Sequence, residues 1–329
     1  MNDRSRRPHR SPKATPGSTV EALVKERREY PEWGARKIGK RVSARGLAVP
    51  AERTVNRIFA RHGLVSKRGK AEVECQRFER REPNQLWQFD YKGPLRGAWG
   101  IRSVPFVVED DASRYLLGLW SLSDKTLAST WPRLWDLFGA FGLPQAMLSD
   151  NDSVFGGRCG PSQLEVKLMR LGITILHGRA YHPQTQGKVE RLNGTLQREL
   201  LRHRHFLCAS DLQVEFDRFR HRYNFERPHD ALALQVPGKL YRPSLRPRPK
   251  ALPEVEYSTG AILRKVDSNG DICWQGDKID VGNGLIKEWV EVREEAEGID
   301  LYYGRYLIMK RDWEGNCKRL RCYRGEGKQ

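Results

Sequence analysis

Gln85-Leu86-Trp87-Gln88-Phe89-Asp90-Tyr91 is where the chain changes character, from helical periodicity to a short aromatic run with a carboxylate set inside it. Such a run predicts a strand, Leu86–Tyr91. An ionised carboxylate there is costly unless a cation or hydrogen bonds compensate it, so Asp90 is a candidate functional residue. Two further runs, Val104–Val108 and Tyr115–Leu122, are rich in aromatic and β-branched residues and separated by Gly, Pro and Asp. Asp124 is placed to cap a helix carrying Leu127, Trp131, Leu134, Trp135 and Phe138, which ends near Gly142. A strand, Gln145–Ser149, leads into Asp150. A helix, Ser162–Leu171, stops at Gly172; Ile173–His177 is another strand; and Gly187 opens a helix reaching about His203. Three strands followed by alternating helices and strands predict an α/β core with a mixed sheet, over residues 85–241.

Upstream, residues 1–17 are rich in Arg, Pro and Ser and read as a flexible basic arm. Residues 18–70 predict three short helices. The first opens at Ser18-x-x-Glu21, which has the form of a capping box, and the next two, Ala35–Arg45 and Glu52–His62, end at Gly46 and Gly63. An all-α helix-turn-helix domain fits this pattern, its third helix offering Arg53, Thr54, Asn56 and Arg57 to DNA bases and phosphates, with Arg36, Lys37, Lys40 and Arg41 near the backbone. Residues 71–84 are a linker. Downstream, residues 242–253 begin with Arg-Pro-Ser-Leu-Arg-Pro-Arg-Pro-Lys and read as a basic Pro-rich linker. Six short runs follow within 254–329: Tyr257–Leu263, Ile272–Gln275, Lys278–Val281, Trp289–Arg293, Leu301–Tyr303 and Tyr306–Lys310. They predict a small all-β barrel.

The charge is distributed accordingly. The chain of 329 residues carries a formal net charge of +18. Residues 1–81 hold 22 Lys and Arg against 9 Asp and Glu, residues 82–200 hold 13 against 12, and residues 201–250 hold 11 against 5. A nearly neutral core between basic flanks points to a polyanion partner, because Lys and Arg gain affinity for phosphates by counterion release. No apolar run approaches the roughly 18 residues of a membrane span, and charged residues occupy positions 1–10 where a signal peptide needs an apolar stretch. The expectation is a cytoplasmic, nucleoid-associated protein with no membrane partner. The six cysteines have no zinc-finger or Cys-x-x-Cys spacing and read as reduced thiols.

Three acids stand out by placement: Asp90 within the aromatic strand, Asp150 directly after an apolar strand, and Glu190 on the first turn of a helix whose Val189, Leu192 and Leu196 face inward. Any one alone reads as well as a turn or cap residue. Together they fall in a series of blocks: Gln85-x-Trp87-Gln88-x-Asp90-x-Lys92, Asp111-Ala112-Ser113-Arg114-Tyr115, Leu148-Ser149-Asp150-Asn151, His182-Pro183-Gln184-Thr185-Gln186-Gly187-Lys188-Val189-Glu190-Arg191-Leu192-Asn193, and Tyr223-Asn224-Phe225-Glu226-Arg227-Pro228-His229-x-Ala231-Leu232. In content and order this series resembles the insertion-sequence DDE transposases with a retroviral-integrase-type catalytic core on a ribonuclease-H-like fold. The helical segment resembles theirs too, in Trp33-Gly34-Ala35-Arg36-Lys37 and Arg61-His62-Gly63-Leu64-Val65.

The resemblance implies that Asp90, Asp150 and Glu190 are the catalytic and metal-holding acids of a transposase. Such an enzyme binds the ends of a mobile DNA element, cleaves phosphodiester bonds and joins the 3′-hydroxyl ends to target DNA, as a homodimer or higher homo-oligomer on the DNA. Three carboxylates without His or Cys suit hard divalent cations, so Mg²⁺ is expected, with Mn²⁺ as substitute and two ions per site. Gln186, Lys188, Arg191 and Arg198 are candidate DNA contacts, and Asn193 a support for the site. The chain departs from the family at Asp152, where Gly is usual. Asp3-Arg4-Ser5-Arg6-Arg7-Pro8-His9-x-Ser11-Pro12 resembles a linker that in related transposases follows a first helix-turn-helix, which implies that this chain lacks a module its relatives carry. Two other classes compete: a catalytically impaired, domesticated or truncated transposase acting as a DNA-binding protein, and a nuclease that only hydrolyses. Strand transfer separates them.

Overall fold

The computed structural model describes residues 14–65, 80–96, 102–149, 160–177, 187–202, 206 and 208–320. The chain packs as two compact units, one formed by the N-terminal segment together with Glu226–Val236, the other by the remainder.

In the first unit, α1 (Gly17–Glu29), α2 (Ala35–Ala44) and α3 (Glu52–Arg61) bury Leu23, Trp33, Ile38, Val42, Val55, Ile58 and Phe59 against one another. The apolar spacing had predicted three helices. The capping box does not form: α1 starts one residue early, with Pro16 at the N-cap position and no side-chain cap, so Ser18 already lies inside the first turn. Gly46 and Gly63 take positive φ after α2 and α3, as helix stops require. Glu26 is fully buried, compensated by Arg41 at 2.8 Å and by Arg45. Arg41 also lies over the Tyr30 ring, 4.7 Å from its centre, and bonds Glu226 at 3.4 Å.

The second unit is built on a mixed sheet. Its elements run β1 (Trp87–Tyr91), β2 (Leu95–Arg96), β3 (Arg102–Asp110), β4 (Leu116–Leu122), α4 (Leu127–Phe141), β5 (Ala146–Ser149), α5 (Gln163–Arg170), β6 (Thr174–His177), α6 (Gly187–Leu196) and α7 (Ala209–Phe225). β3 pairs antiparallel with β1, β2 and β4, while β5 pairs parallel with β1 and β6. The mixed sheet and its alternating helices match the expected α/β core. α4 is capped by Thr126 rather than Asp124; the Asp124 carboxylate instead accepts from the Thr126 main chain and hydroxyl and from Ser129, which stiffens the cap from one step away. Residues 197–201 continue α6 as a π-helical turn. α7 had no counterpart in the sequence reading.

The helices divide between the two faces of the sheet. Leu134, Leu137 and Phe138 of α4 and Leu164, Leu168 and Met169 of α5 pack with Trp87, Phe89, Phe106 and Val108. Leu192 and Leu196 of α6, with Leu200, and Leu212, Phe216, Phe219 and Tyr223 of α7 pack with Val107, Leu116 and Leu119.

After a short helix, α8 (Pro237–Leu240), residues 242–250 form neither helix nor strand, as their prolines dictate. Arg246 donates to the carbonyls of Pro144, Leu171 and Gly172, main-chain acceptors just beyond the ends of α4 and α5, and Arg248 to that of Trp135 within α4. The C-terminal strands are β7 (Ile262–Lys265), β8 (Asp271–Trp274), β9 (Asp277–Asp280), β10 (Trp289–Glu295), β11 (Gly298–Tyr303), β12 (Tyr306–Asp312) and β13 (Cys317–Arg319). They form an open sheet in the order β13-β12-β11-β10-β7 and a separate β8–β9 hairpin; no pairing that would close a barrel is present among the described residues. The first of them starts later than expected, at Ile262 rather than Tyr257. The sheet shares its apolar core with α5, and the chains approach so closely that a Cβ on Gly284 would lie 2.0 Å from the Pro161 carbonyl oxygen.

No helix among the described residues is long and apolar enough to cross a membrane. Cys208, Cys273 and Cys317 are free thiols, and the other three cysteines lie outside the described residues.

Candidate active site

The strand period builds the site. In β1, Trp87, Phe89 and Tyr91 belong to the core shared with α4 and α5, so Gln88 and Asp90 point to the opposite face, where α6 lies. Asp90 is half-buried, and its Oδ2 accepts a hydrogen bond of 2.9 Å from Asn193 Nδ2. On α6, Val189, Leu192 and Leu196 are buried while Glu190 is exposed on the flank of that stripe. Glu190 and Asn193 are three residues apart and therefore neighbours on one helix face. The Asn193 bond thus sets α6, the helix that also carries Glu190, against the strand that carries Asp90. Asp150 lies outside the described residues. It follows Ser149, the last residue of β5, and β5 is the parallel neighbour of β1, with Gln88 opposite Leu148.

Beneath this pair lies a buried acidic corner, Glu109-Asp110-Asp111, at the end of β3. Burial pushes the Glu109 carboxyl up to about 8, against the opposing pull of Arg114 and a 3.1 Å hydrogen bond from the Tyr223 hydroxyl. Burial also raises Asp110, which accepts from the main chain of Asn84 and from the main chain and hydroxyl of Ser113. Asp111 accepts from Gln88 Nε2 at 2.6 Å and from the Arg80 main chain at 2.8 Å, and it pairs with Lys188 at 2.6 Å.

Two family models, both described as integrase core domain, match residues 80–183 and 171–237. Together they span residues 80–237, so this part of the chain is similar to an integrase core domain. A Sinorhizobium fredii protein that carries a provisional transposase name is 28% identical over 298 residues, which cover 84% of this chain and 62% of that protein. The Pol polyprotein of a radiation murine leukemia virus is 30% identical over 118 residues, 36% of this chain and 19% of the polyprotein. The chain therefore spans less than two thirds of either relative. Among solved structures, a simian T-cell lymphotropic virus intasome complexed with PP2A regulatory subunit B56 gamma superposes with a TM-score of 0.42 at 16% identity, over 92% of this chain and 100% of that one. The HTLV-2 integrase catalytic core domain in complex with magnesium gives 0.38 at 17% identity, over 49% and 98%.

Within this integrase core, the all-oxygen donor set suits a hard divalent cation. Asn193 Oδ1 is buried with no hydrogen-bond partner among the described residues, one more oxygen beside Asp90 that a hydrated cation would satisfy. Among the described residues no three acids, histidines or cysteines gather closely enough to hold a metal, and Asp150 is not among those residues.

The expected DNA contacts are placed unevenly. Arg53, Asn56 and Arg57 are exposed along α3, with Arg57 donating to the half-buried Thr54 at 3.4 Å. Arg36 and Lys37 pair with Asp230 of the same unit, at 3.5 and 3.4 Å. Arg191 is exposed beside Glu190, and Arg198 turns back to Thr195 at 3.3 Å. Gln186 lies outside the described residues. Lys188 is largely covered, its side chain 10% exposed, and pairs with Asp111 at 2.6 Å.

Three supports went unread in the sequence. Gln88 and Asp111 had motif positions but no role. Glu165 receives the Ser162 main chain at 2.6 Å and meets His177 Nε2 at 2.6 Å, while His177 Nδ1 lies 3.3 Å from Ser149 Oγ, tying together the ends of β5 and β6 and the start of α5. The Ser162-x-x-Glu165 spacing was the available signal.

Proposed function

We propose that this chain is a DDE transposase that binds the ends of a mobile DNA element, cleaves there, and joins the freed 3′-hydroxyl ends to target DNA, acting as a homodimer or larger homo-oligomer. The observation that supports this reading is the Asn193 bond to Asp90, which ties α6, the helix bearing Glu190, to the strand bearing Asp90 in the region that matches an integrase core domain. Asp90, Asp150 and Glu190 would hold two Mg²⁺ ions, with Mn²⁺ as substitute; when bound, such ions activate an attacking oxygen and stabilise a leaving one at phosphorus. Asn193 orients the Asp90 carboxylate, and the apolar stripe of α6 fixes the helix from which Glu190 projects. Arg191, exposed next to Glu190, is positioned to meet a phosphate of the DNA end, and α3 reads its sequence through Arg53, Thr54, Asn56 and Arg57. Arg36 and Lys37 serve as backbone contacts once released from Asp230. Hydrolysis at the element end yields the 3′-hydroxyl, and that hydroxyl then displaces a target phosphodiester, with no covalent protein–DNA intermediate and no ATP.

The test uses purified full chain, duplexes bearing candidate element ends, Mg²⁺ and a plasmid target. Joined product is the expected result. Cut ends without joined product would identify a nuclease, and end binding with neither would identify a DNA-binding protein derived from a transposase.

A further inference from the structure

We propose that the buried Asp111–Lys188 pair is a positioning strut that locks α6 against β1 and so holds Glu190 in register with Asp90. The inference deepens the transposase reading and rests on it. Lys188 Nζ lies 2.6 Å from Asp111 Oδ1 and 3.3 Å from the Asp111 main-chain oxygen, and the two side chains are 10% and 0% exposed. Asp111 is in turn fastened to the strand that carries Asp90: its N–H donates to the Leu86 carbonyl at 2.9 Å, and its Oδ1 accepts from Gln88 at 2.6 Å. One carboxylate thus joins Gln88, two residues before Asp90, to Lys188, two residues before Glu190.

The geometry explains why two ties are needed. Asn193 holds α6 to Asp90 on one side of Glu190 in sequence, and Lys188 holds it on the other. With Asn193 alone, α6 keeps a pivot. A rotation of about 10° about the axis moves a group at the outer helix radius of ~5–6 Å by ~1 Å, and a misplacement of that size costs about 100-fold in a positioned reaction. The apolar stripe of α6 resists such rotation only softly, because side chains slide against each other at small energetic cost, whereas a hydrogen-bonded ion pair has a defined length and direction. The same burial keeps the Lys188 ammonium from the solvent-facing position a phosphate contact requires.

The decisive variant removes both charges. Lys188→Met alone would strand the Asp111 charge in the interior, which is strongly destabilising, but replacing both members of a buried pair with neutral groups is often nearly neutral. Asp111→Asn is accommodated because Gln88 Oε1 has no hydrogen-bond partner among the described residues: a flip of the Gln88 amide lets it accept from the new side-chain N–H₂. In the full chain, Asp111→Asn with Lys188→Met should fold and bind end DNA with unchanged affinity and salt dependence. Its Mn²⁺ affinity, read from the free-ion paramagnetic resonance signal, should fall about 10-fold, and strand joining 10- to 100-fold, the range for outer supports of a metal site. Lys188→Arg, which keeps the charge, should recover most of both.

Wild-type Mn²⁺ affinity and joining in the folded double variant would overturn the proposal. So would a loss of DNA affinity with the salt slope reduced by about one counterion, the signature of a phosphate contact. Should the double variant fail to fold, Asp111→Asn alone carries the same test: it breaks the ion pair while an oxygen still accepts from the Arg80 main chain, and the Lys188 stem, unlike the fully buried Asp111 carboxylate, can carry its charge out to water; unchanged Mn²⁺ affinity there is likewise fatal. Failure of the transposase reading is separable, because it shows in the wild-type chain as an absence of joined product.

Discussion

The two faces of the central sheet are each covered by a pair of helices, yet they are built from different materials. Under α4 and α5 the contacts are mainly apolar, with the Trp87 and Phe138 rings 5.9 Å apart and both fully buried, and with one buried hydroxyl pair, Tyr91 with Thr130. Under α6 and α7 the sheet presents Gln88, Asp90, Glu109 and Asp111 among the apolar residues, each with a polar or charged neighbour on a covering helix or an adjoining loop. On the second face the polar groups are held in position, at a desolvation cost that shows in the raised Glu109 carboxyl. One face therefore supplies stability, and the other supplies geometry.

The sharpest way to break this contrast is to change one residue on each face. Asp90→Asn or Glu190→Gln should leave thermal stability and end binding near wild type while joining falls by roughly 10³-fold or more, the scale on which removal of an essential catalytic group acts. Phe138→Ala should do the reverse. It should cost about 3–5 kcal/mol in denaturant unfolding while the joining rate per folded molecule is retained. Near-wild-type joining in either acid variant would remove that residue from the site, and a Phe138→Ala protein of full stability would mean that the apolar face does not bear the fold.

The same contrast explains what could be read from the sequence. Apolar periodicity located nearly every element of the sheet and the helices on it, because hydrophobic burial writes a period into the chain. It missed α7, whose buried Leu212, Phe216, Phe219 and Tyr223 are interleaved with Arg218, Arg220 and Arg222 on its other sides. Asp90 and Glu190 were legible as acids in apolar settings. Their supports were not, since the partner of Asp111 is a lysine 77 residues away, and such a contact leaves no local signature. That is why Lys188 read as a DNA contact: a basic residue on an amphipathic helix looks solvated until its partner is located. Likewise, the arginines of the Pro-rich strap read as linker charge, whereas Arg246 and Arg248 are bonded to carbonyls of the core.

The polar face should also carry a pH signature, at Glu109. The Glu109 carboxyl titrates near its ordinary 4.5 when unfolded and at about 8 when folded. Between those values the folded chain holds the extra proton, so this residue's contribution to stability declines as pH rises and levels off above about 8. Glu109→Gln keeps an acceptor for the Tyr223 hydroxyl and removes the titration. Denaturant unfolding of both proteins at pH 6 and pH 8.5 should show the variant gaining on wild type by several kcal/mol at most, and more at the higher pH. A difference that is the same at both values would show that Glu109 is ionised throughout.

The helical unit repeats the division on a smaller scale, and there the expected effect is smallest. In α3, Val55, Ile58 and Phe59 are buried, while Arg53, Asn56 and Arg57 are exposed. In α2, by contrast, Arg41 is held between Glu26 and the Tyr30 ring, and Arg36 and Lys37 face Asp230. If α3 is the reading helix, Arg57→Ala should cost about 1–3 kcal/mol of discrimination between end DNA and random DNA, with little change in folding, because the side chain's one described hydrogen bond is to Thr54 in its own helix. Arg41→Ala should instead lower stability, because it leaves Glu26 buried with Arg45 as its remaining described cation. Competition binding at fixed salt measures the first, and thermal unfolding the second. Equal discrimination by Arg57→Ala and the wild type would place sequence reading elsewhere in the chain and leave α3 as a packing element, for its exposed arginines would then add only the unspecific attraction that any basic surface has for DNA.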